Sequence, residues 1–266
     1  MNAVDAAGGP PAQWLRRSPR ARWVLAGTAV AGGIAVLILT RPARPEPSLP
    51  VGSSSDTPQE KKAAFINYLV PQVREVNARI LRDRRRLTAI LQDVAAGDQP
   101  GYFDGRWLKK LVADYGAELP ERITTSFLDQ MLVRVDVVPP SLVIAQAAVE
   151  SGWGTSRFAQ RGNNLFGLRA YGGKGLTPKA RDAGEKFKVA AYPSVHESVA
   201  EYINNLNTGE SYIDLRMTRR ELRQRGQPVT GTALVSGLAG YSGRGADYVE
   251  TILAVITANK LGRFDS

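Results

Sequence analysis

One carboxylate stands apart by its surroundings. Residues 140–158 read PSLVIAQAAVESGWGTSRF, a run of small and apolar side chains that delivers Glu150 just before a Gly-Trp-Gly turn. A helix over this run would carry Glu150 at its C-terminal end, and the glycines would stop it. Three effects then push the carboxyl toward a raised pKa. An apolar helix face desolvates it, the negative end of the helix dipole opposes its ionisation, and Trp153 adds an apolar wall. A carboxylic acid kept protonated near neutral pH can give a proton to a leaving oxygen, as glycosidic bond cleavage requires. A polar helix terminus paired with an arginine accounts for the same residues equally well.

The remaining inventory narrows the chemistry. The chain has no cysteine and a single histidine, His196, so thiol catalysis, cysteine-ligated metals and a multi-histidine zinc centre are all excluded. No metal or cofactor is expected. His196 lies in the first turn of a predicted helix and is given no chemical role. Ser194-Val-His-Glu197 has the form of a capping box, which explains Glu197 as the partner of Ser194.

The elements that must position Glu150 are mostly helical. From Lys61 to about Gly97 the apolar residues Phe65, Leu69, Val73, Val76, Ile80, Leu87, Leu91 and Val94 recur at helical steps. Pro71 should kink or restart that helix. Arg82, Arg84, Arg85 and Arg86 cluster on it, as a solvated outer face or as a polyanion patch. Phe103–Tyr115 and Thr124–Val135 are amphipathic, and Pro139-Pro140 opens the helix that ends at Glu150. The one strand candidate is Glu185–Tyr192, after the turn-rich stretch Gly172–Gly184. A last helix, about Ala246–Leu261, sets Val249, Ile252, Leu253 and Ile256 on one side. The fold class is therefore mainly α with a small β-hairpin (α+β).

Upstream, Trp23–Thr40 is an uncharged run of 18 residues preceded by Arg16, Arg17, Arg20 and Arg22. That length suffices for one transmembrane helix, and the arginines predict a cytoplasmic N-terminus. The run ends in Thr-Arg-Pro-Ala-Arg-Pro rather than in a small-x-small cleavage site, which favours an uncleaved signal anchor. Residues 41–59 are rich in proline and serine, a composition suited to an extended tether. The expected organisation is a basic tail over 1–22, the anchor over 23–40, the linker over 41–59 and one domain over 60–266. That domain divides into an N-terminal helical part, 60–138, and a catalytic core, 139–266. It would lie outside the cytoplasm at a bacterial inner membrane. The net charge of +10 suits an acidic polymer as partner or simply a high-pI background, and the topology argues against nucleic acid. No protein partner is identifiable.

The stretch AQAAVESGWGTSRFAQRGNNLFGLR resembles the active-site region of the bacterial glucosaminidase family. That family takes in the flagellar-rod peptidoglycan hydrolase and many wall autolysins. The resemblance continues through YPSVHESVAEYINNLNTGESYIDLR and LAGYSGRGADYVETILAVITANKL. The opening KKAAFINYLVPQVREVNARIL is similar to the first helix of the bacterial Bax subgroup. The resemblance implies a lysozyme-like helical lobe that cleaves peptidoglycan glycan strands as an endo-acting N-acetylglucosaminidase. It makes Glu150 the essential acid. It puts the asparagines of NNLFGL, Asn163 and Asn164, along the groove, where amides could hold an amino sugar. Phe166 is a sugar platform or a core residue, and Tyr241 a groove tyrosine or a packed loop residue. Gln146, Trp153 and Tyr192 complete the candidate substrate-binding set. Some relatives carry a second carboxylate on a hairpin after NLFGL, for which Asp182 and Glu185 are the candidates. Failing that, the substrate's own N-acetyl group would attack the anomeric carbon. A lytic transglycosylase or muramidase, or a non-catalytic wall-binding protein, are the competing functions.

Overall fold

The computed structural model describes residues 49–50, 56–170, 175–177, 188–241 and 245–265. The expected span Trp23–Thr40, most of the linker, and both Asp182 and Glu185 lie outside these residues. Among the described residues no helix is long and apolar enough to cross a membrane.

The longest element is α1, Pro58–Ala95. Its start carries a full capping box: Thr57 Oγ1 accepts from the Glu60 amide, and the Glu60 carboxylate accepts from the Thr57 amide at 2.7 Å. The apolar stripe read from the sequence is the buried face, with Phe65, Leu69, Val73, Val76, Ile80 and Leu87 all inside. The helix runs on through Pro71, so the expected restart does not occur. Pro71 and Asn67, one turn earlier, both lie on the exposed side, where the carbonyl left without an N–H donor is open to water.

Next come α2 (Tyr102–Asp114) and α3 (Thr125–Arg134), then α4 (Pro140–Ser151) and the short α5 (Arg157–Gly162). Helix α4 is buried almost all round, from Pro140 to Ala148, as its apolar composition demands. Pro139 has no side chain to cap it. Asp265, near the other end of the chain, does so instead, accepting from the amide and hydroxyl of Ser141 at 2.8 and 2.7 Å. The remaining helices are α6 (Val195–Thr208), α7 (Ile213–Gln224), α8 (Gly231–Leu234) and α9 (Ala246–Ala258). Ser194 caps α6 by accepting from the Glu197 amide.

The β structure is a three-stranded antiparallel sheet rather than a lone hairpin. Strand β3 (Lys188–Ala190) is central, between β1 (Arg169–Ala170) and β2 (Gly175–Leu176). Arg169 pairs with Val189, and Leu176 pairs with the same residue from the other side. The protein is thus mainly helical with a small antiparallel sheet. One hydrophobic core joins α1 to α3, α4, α6 and α9.

A charged hub locks the passage from α3 into α4. Asp136, 2% exposed, receives a two-pronged contact from Arg223 at 2.5 and 2.6 Å, with Arg84 and Arg219 within 4 Å. Arg219, itself buried, also donates to the carbonyls of Val133, Asp136 and Val137. Burial pulls its pKa down to about 10. Two of the four clustered arginines on α1 are therefore structural. Arg84 reaches this hub, while Arg86 pairs with Asp104 and covers the Trp107 ring.

Candidate active site

The turn after Glu150 is built from three successive residues in the left-handed region: Gly152 (φ 59°), Trp153 (φ 58°) and Gly154 (φ 80°). Glycine accepts that backbone freely, whereas a bulky residue such as Trp153 does so only when its neighbours hold it there. Ser151 closes the turn by donating to the Ala147 carbonyl and accepting from the Gly154 amide at 2.7 Å. The Trp153 ring meets Phe65 of α1 edge-on, with centroids 5.8 Å apart, and the Lys62 ammonium lies 5.1 Å over it. A Cβ on Gly154 would meet both Phe65 and Leu49 at about 3.1–3.2 Å, and Leu49, read from sequence as linker, is buried here. The turn therefore braces the end of α4 against α1. Trp153 serves that brace rather than walling Glu150.

Glu150 itself is exposed, contrary to the expected desolvation on an apolar helix face. The apolar residues of α4 turn inward, and the carboxyl projects from the last turn into an open cleft. Its hydrogen-bond partner is Tyr248 in the first turn of α9, whose hydroxyl donates to Glu150 Oε1 at 2.8 Å. Behind Tyr248 the chain of bonds continues inward. Gln146, one turn before Glu150, donates through Nε2 to the Tyr248 hydroxyl at 3.0 Å, and Tyr202 of α6 donates to Gln146 Oε1. Gln146, Tyr202 and Tyr248 are all 0% exposed. Each donor polarises the next, so the relay delivers a fixed and strengthened bond to Glu150.

Aromatic rings hold the relay in place. Tyr241 stacks on Tyr248 with centroids 5.5 Å apart, and Phe166 stacks on Tyr202 at 3.9 Å. The Tyr241 hydroxyl donates to the Phe166 carbonyl at 2.7 Å. Burial raises the pKa of Tyr202, Tyr241 and Tyr248 far above the ordinary phenol value, and the nearby Glu150 charge adds to the effect in all three. These phenols are held as donors.

The cleft that Glu150 enters has a volume of about 550 Å³. Its walls come from Phe166–Arg169 on one side and from Tyr192, Glu201, Asn205, Tyr212 and Tyr241 on the other. Tyr241, Tyr192 and Phe166 are thus at the cleft, although the Phe166 ring is buried against Tyr202. The amides behave differently from expectation. Asn163 donates to the carbonyls of Tyr192 and Pro193, at 3.0 and 3.2 Å. Asn164, 1% exposed, donates to Leu168 and Ala190 and accepts from the amides of Phe166 and Leu168. Both amides are spent on shaping the loop, as is the Gln146 amide on the relay. The loop is what aims Phe166, Leu168 and Arg169 at the cleft.

Tyr248, Tyr202 and Glu201 were not among the residues that sequence reasoning selected. Tyr248 lies four residues before Ile252 on the buried face of α9, a position that signals core but not a partner. Glu201 is the described carboxylate that shares the cleft with Glu150. Among the described residues no group of histidines and carboxylates could hold a metal ion.

Comparison with known proteins finds relatives over most of the chain. Residues 128–261 match the glucosaminidase family, described as mannosyl-glycoprotein endo-beta-N-acetylglucosaminidase. Protein bax of Escherichia coli (strain K12) is 32% identical over 213 residues, which is 77% of this chain and 72% of that protein. The exo-glucosaminidase LytG of Bacillus subtilis (strain 168) is 29% identical over 51% of this chain. The peptidoglycan hydrolase FlgJ of Escherichia coli O157:H7 is 36% identical over 28%. The chain spans 49% of the length of LytG and 28% of that of FlgJ. The matched segment contains Glu150, its turn, the cleft walls and the tyrosine relay. The chain belongs to the glucosaminidase family of glycoside hydrolases.

Proposed function

We propose that this protein is a peptidoglycan hydrolase, an endo-acting N-acetylglucosaminidase that uses Glu150 as its general acid. The observation that carries the reading is the carboxyl of Glu150, set at the edge of an open cleft by a buried relay of two phenols and an amide. The names of two relatives support the substrate: one is a peptidoglycan hydrolase and one a glucosaminidase. The description of the matching family, an endo-beta-N-acetylglucosaminidase, supports internal cleavage.

In this reading the glycan lies across the cleft with its scissile oxygen at Glu150. The substrate's acetamido oxygen attacks the anomeric carbon while the Glu150 proton passes to the departing oxygen. Water then opens the resulting oxazoline ring, returning a proton to Glu150. Tyr241 orients the acetamido group: its hydroxyl hydrogen is committed to the Phe166 carbonyl, which leaves its oxygen to accept the amide N–H. Asp182 and Glu185 are retained as the alternative nucleophile or base on the segment before β3. The domain is held outside the cytoplasm of a bacterial inner membrane by Trp23–Thr40, with residues 1–22 inside.

The test is Glu150→Gln, which keeps shape but cannot donate the proton. Losing a general acid costs on the order of 10²–10⁴ in rate, so glycan cleavage should fall by that much while binding persists. Near-normal turnover would overturn the assignment. Mass spectrometry of wild-type digests should show saturated products ending in reducing N-acetylglucosamine. Anhydro-muramoyl ends would indicate a lytic transglycosylase instead. For the topology, added protease should degrade the domain in spheroplasts, and full protection of the domain would refute the anchor.

A further inference from the structure

A second and larger cleft, about 770 Å³, opens beside the first and shares Tyr192 and Glu201 with it. It lies where one face each of α1, α2 and α6 converge. Arg79 and Asp83 come from α1, Lys110 and Asp114 from α2, and Glu197 and Glu201 from α6, all one helical turn apart within their helix. Trp107, Tyr115 and Tyr192 supply aromatic wall between these charges.

The lining distinguishes this cleft from its neighbour. A glycan backbone is neutral and hydroxyl-rich, and six ionisable side chains of both signs are a poor match for it. They match a short peptide that carries both carboxylates and a free ammonium. Peptidoglycan hangs such a peptide from its glycan, next to the bonds that a glycosidase cuts. We infer that the α1/α2/α6 cleft is a subsite for the stem peptide, reached past Tyr192 and Glu201 while the glycan occupies the Glu150 cleft. The inference rests on the peptidoglycan reading of the first cleft. Lys110 and Asp114 pair with each other at 2.5 Å along α2 and part for the ligand: Arg79 and Lys110 take peptide carboxylates, and Asp83, Asp114 and Glu197 take the ammonium.

Two features agree with a site made for a ligand. Asp83 is half-buried on the wall, where desolvation raises its pKa against the pull of Arg79 and Arg82, so a cation bound beside it would offset the cost of burying its carboxylate. The Trp107 ring is held by the Arg86 guanidinium, 4.5 Å from its centre, and Arg86 is in turn held by Asp104 at 2.7 Å. The wall is therefore preorganised rather than collapsing to fill the space.

The experiment uses the full chain and two exposed-residue variants, Arg79→Ala and Lys110→Glu, each checked for an unchanged melting temperature. A synthetic stem peptide of alanine, glutamate and a diamino acid is titrated by calorimetry. It should bind the wild type, with affinity at least about tenfold weaker in both variants. In parallel, kcat/KM is measured on glycan strands with stems and on strands stripped of stems by an amidase. The variants should lose about tenfold on stemmed glycan and nothing on stripped glycan. Absence of peptide binding by the wild type would overturn the subsite. So would equal losses on the two glycans. Peptide binding without cleavage of either glycan would leave the subsite standing and remove the hydrolase reading instead.

Discussion

The hydroxyl of Tyr248 donates to Oε1 of Glu150 across 98 residues of sequence, at 2.8 Å. The donor is buried and backed by Gln146, so the bond cannot swing to another acceptor without disturbing the core. Tyr248→Phe removes the donor and keeps the ring. A hydrogen bond to a charged group is worth about 1.5–3 kcal/mol, so kcat should fall by roughly 10- to 100-fold, with KM little changed. Steady-state kinetics on soluble glycan fragments measures both. A Tyr248→Phe enzyme with wild-type kcat would show that the relay does not serve Glu150.

The left-handed turn makes a second prediction. Gly154→Ala puts a Cβ at φ 80° and against Phe65 and Leu49. The backbone term alone is about 1–2 kcal/mol, which for a domain of this size lowers Tm by roughly 2–8 °C. Activity should fall further than stability, because the same turn fixes the end of α4. Calorimetry and a glycan assay at a temperature well below Tm separate the two effects. Retained Tm would mean that the turn relaxes without cost.

Asp136 is predicted to matter for folding and not for chemistry. Asp136→Asn leaves the buried Arg219 and its neighbours Arg84 and Arg223 without their counter-charge. Breaking a buried ion pair by removing one partner costs about 3–5 kcal/mol. The urea midpoint should drop accordingly with an unchanged slope. The folded fraction should keep its kcat. A variant as stable as the wild type would mean that the arginines can be satisfied by carbonyls alone.

Alkaline pH should unfold the protein through its tyrosines. Burial raises Tyr192 and Tyr115 to about 12, and Tyr202, Tyr241 and Tyr248 higher still. An unfolded phenol ionises at about pH 10. Above that pH the unfolded chain holds fewer protons than the folded one, so stability falls as pH rises. Below it the contribution is fully present. Melting curves from pH 8 to 11.5 should therefore be flat at first and decline above about pH 10. Absorbance at 295 nm should show these phenols ionising with unfolding and not before it.

Much of this was readable from the chain. The buried stripe of α1, the proline start and glycine stop of α4, and the inward face of α9 are local patterns, set by helical periodicity and turn chemistry. The family resemblance singles out Glu150, which the fold sets in the wall of a cleft. What the sequence did not reveal depends on partners far away along it. Tyr248 reads as one more core residue until α9 lies beside α4. Asp136 sits between valines, and nothing local announces three arginines. Asn163 and Asn164 look like ligand donors, yet six backbone groups in and around their loop claim them first. Strands β1 and β2, of two residues each, are too short to show alternation.

The family match begins at residue 128, whereas the support for the Trp153 turn comes from Phe65 and Lys62, far upstream of it. The border of the recognised segment is therefore not a border in the fold. A polypeptide begun at residue 128 would keep Glu150, Tyr248 and the relay, and would lose the buttress that fixes where the carboxyl points. Relatives that share this segment but lack a helix like α1 must prop the same turn from some other direction. What stands in that place is a natural point at which members of the family can diverge while their cleft stays the same.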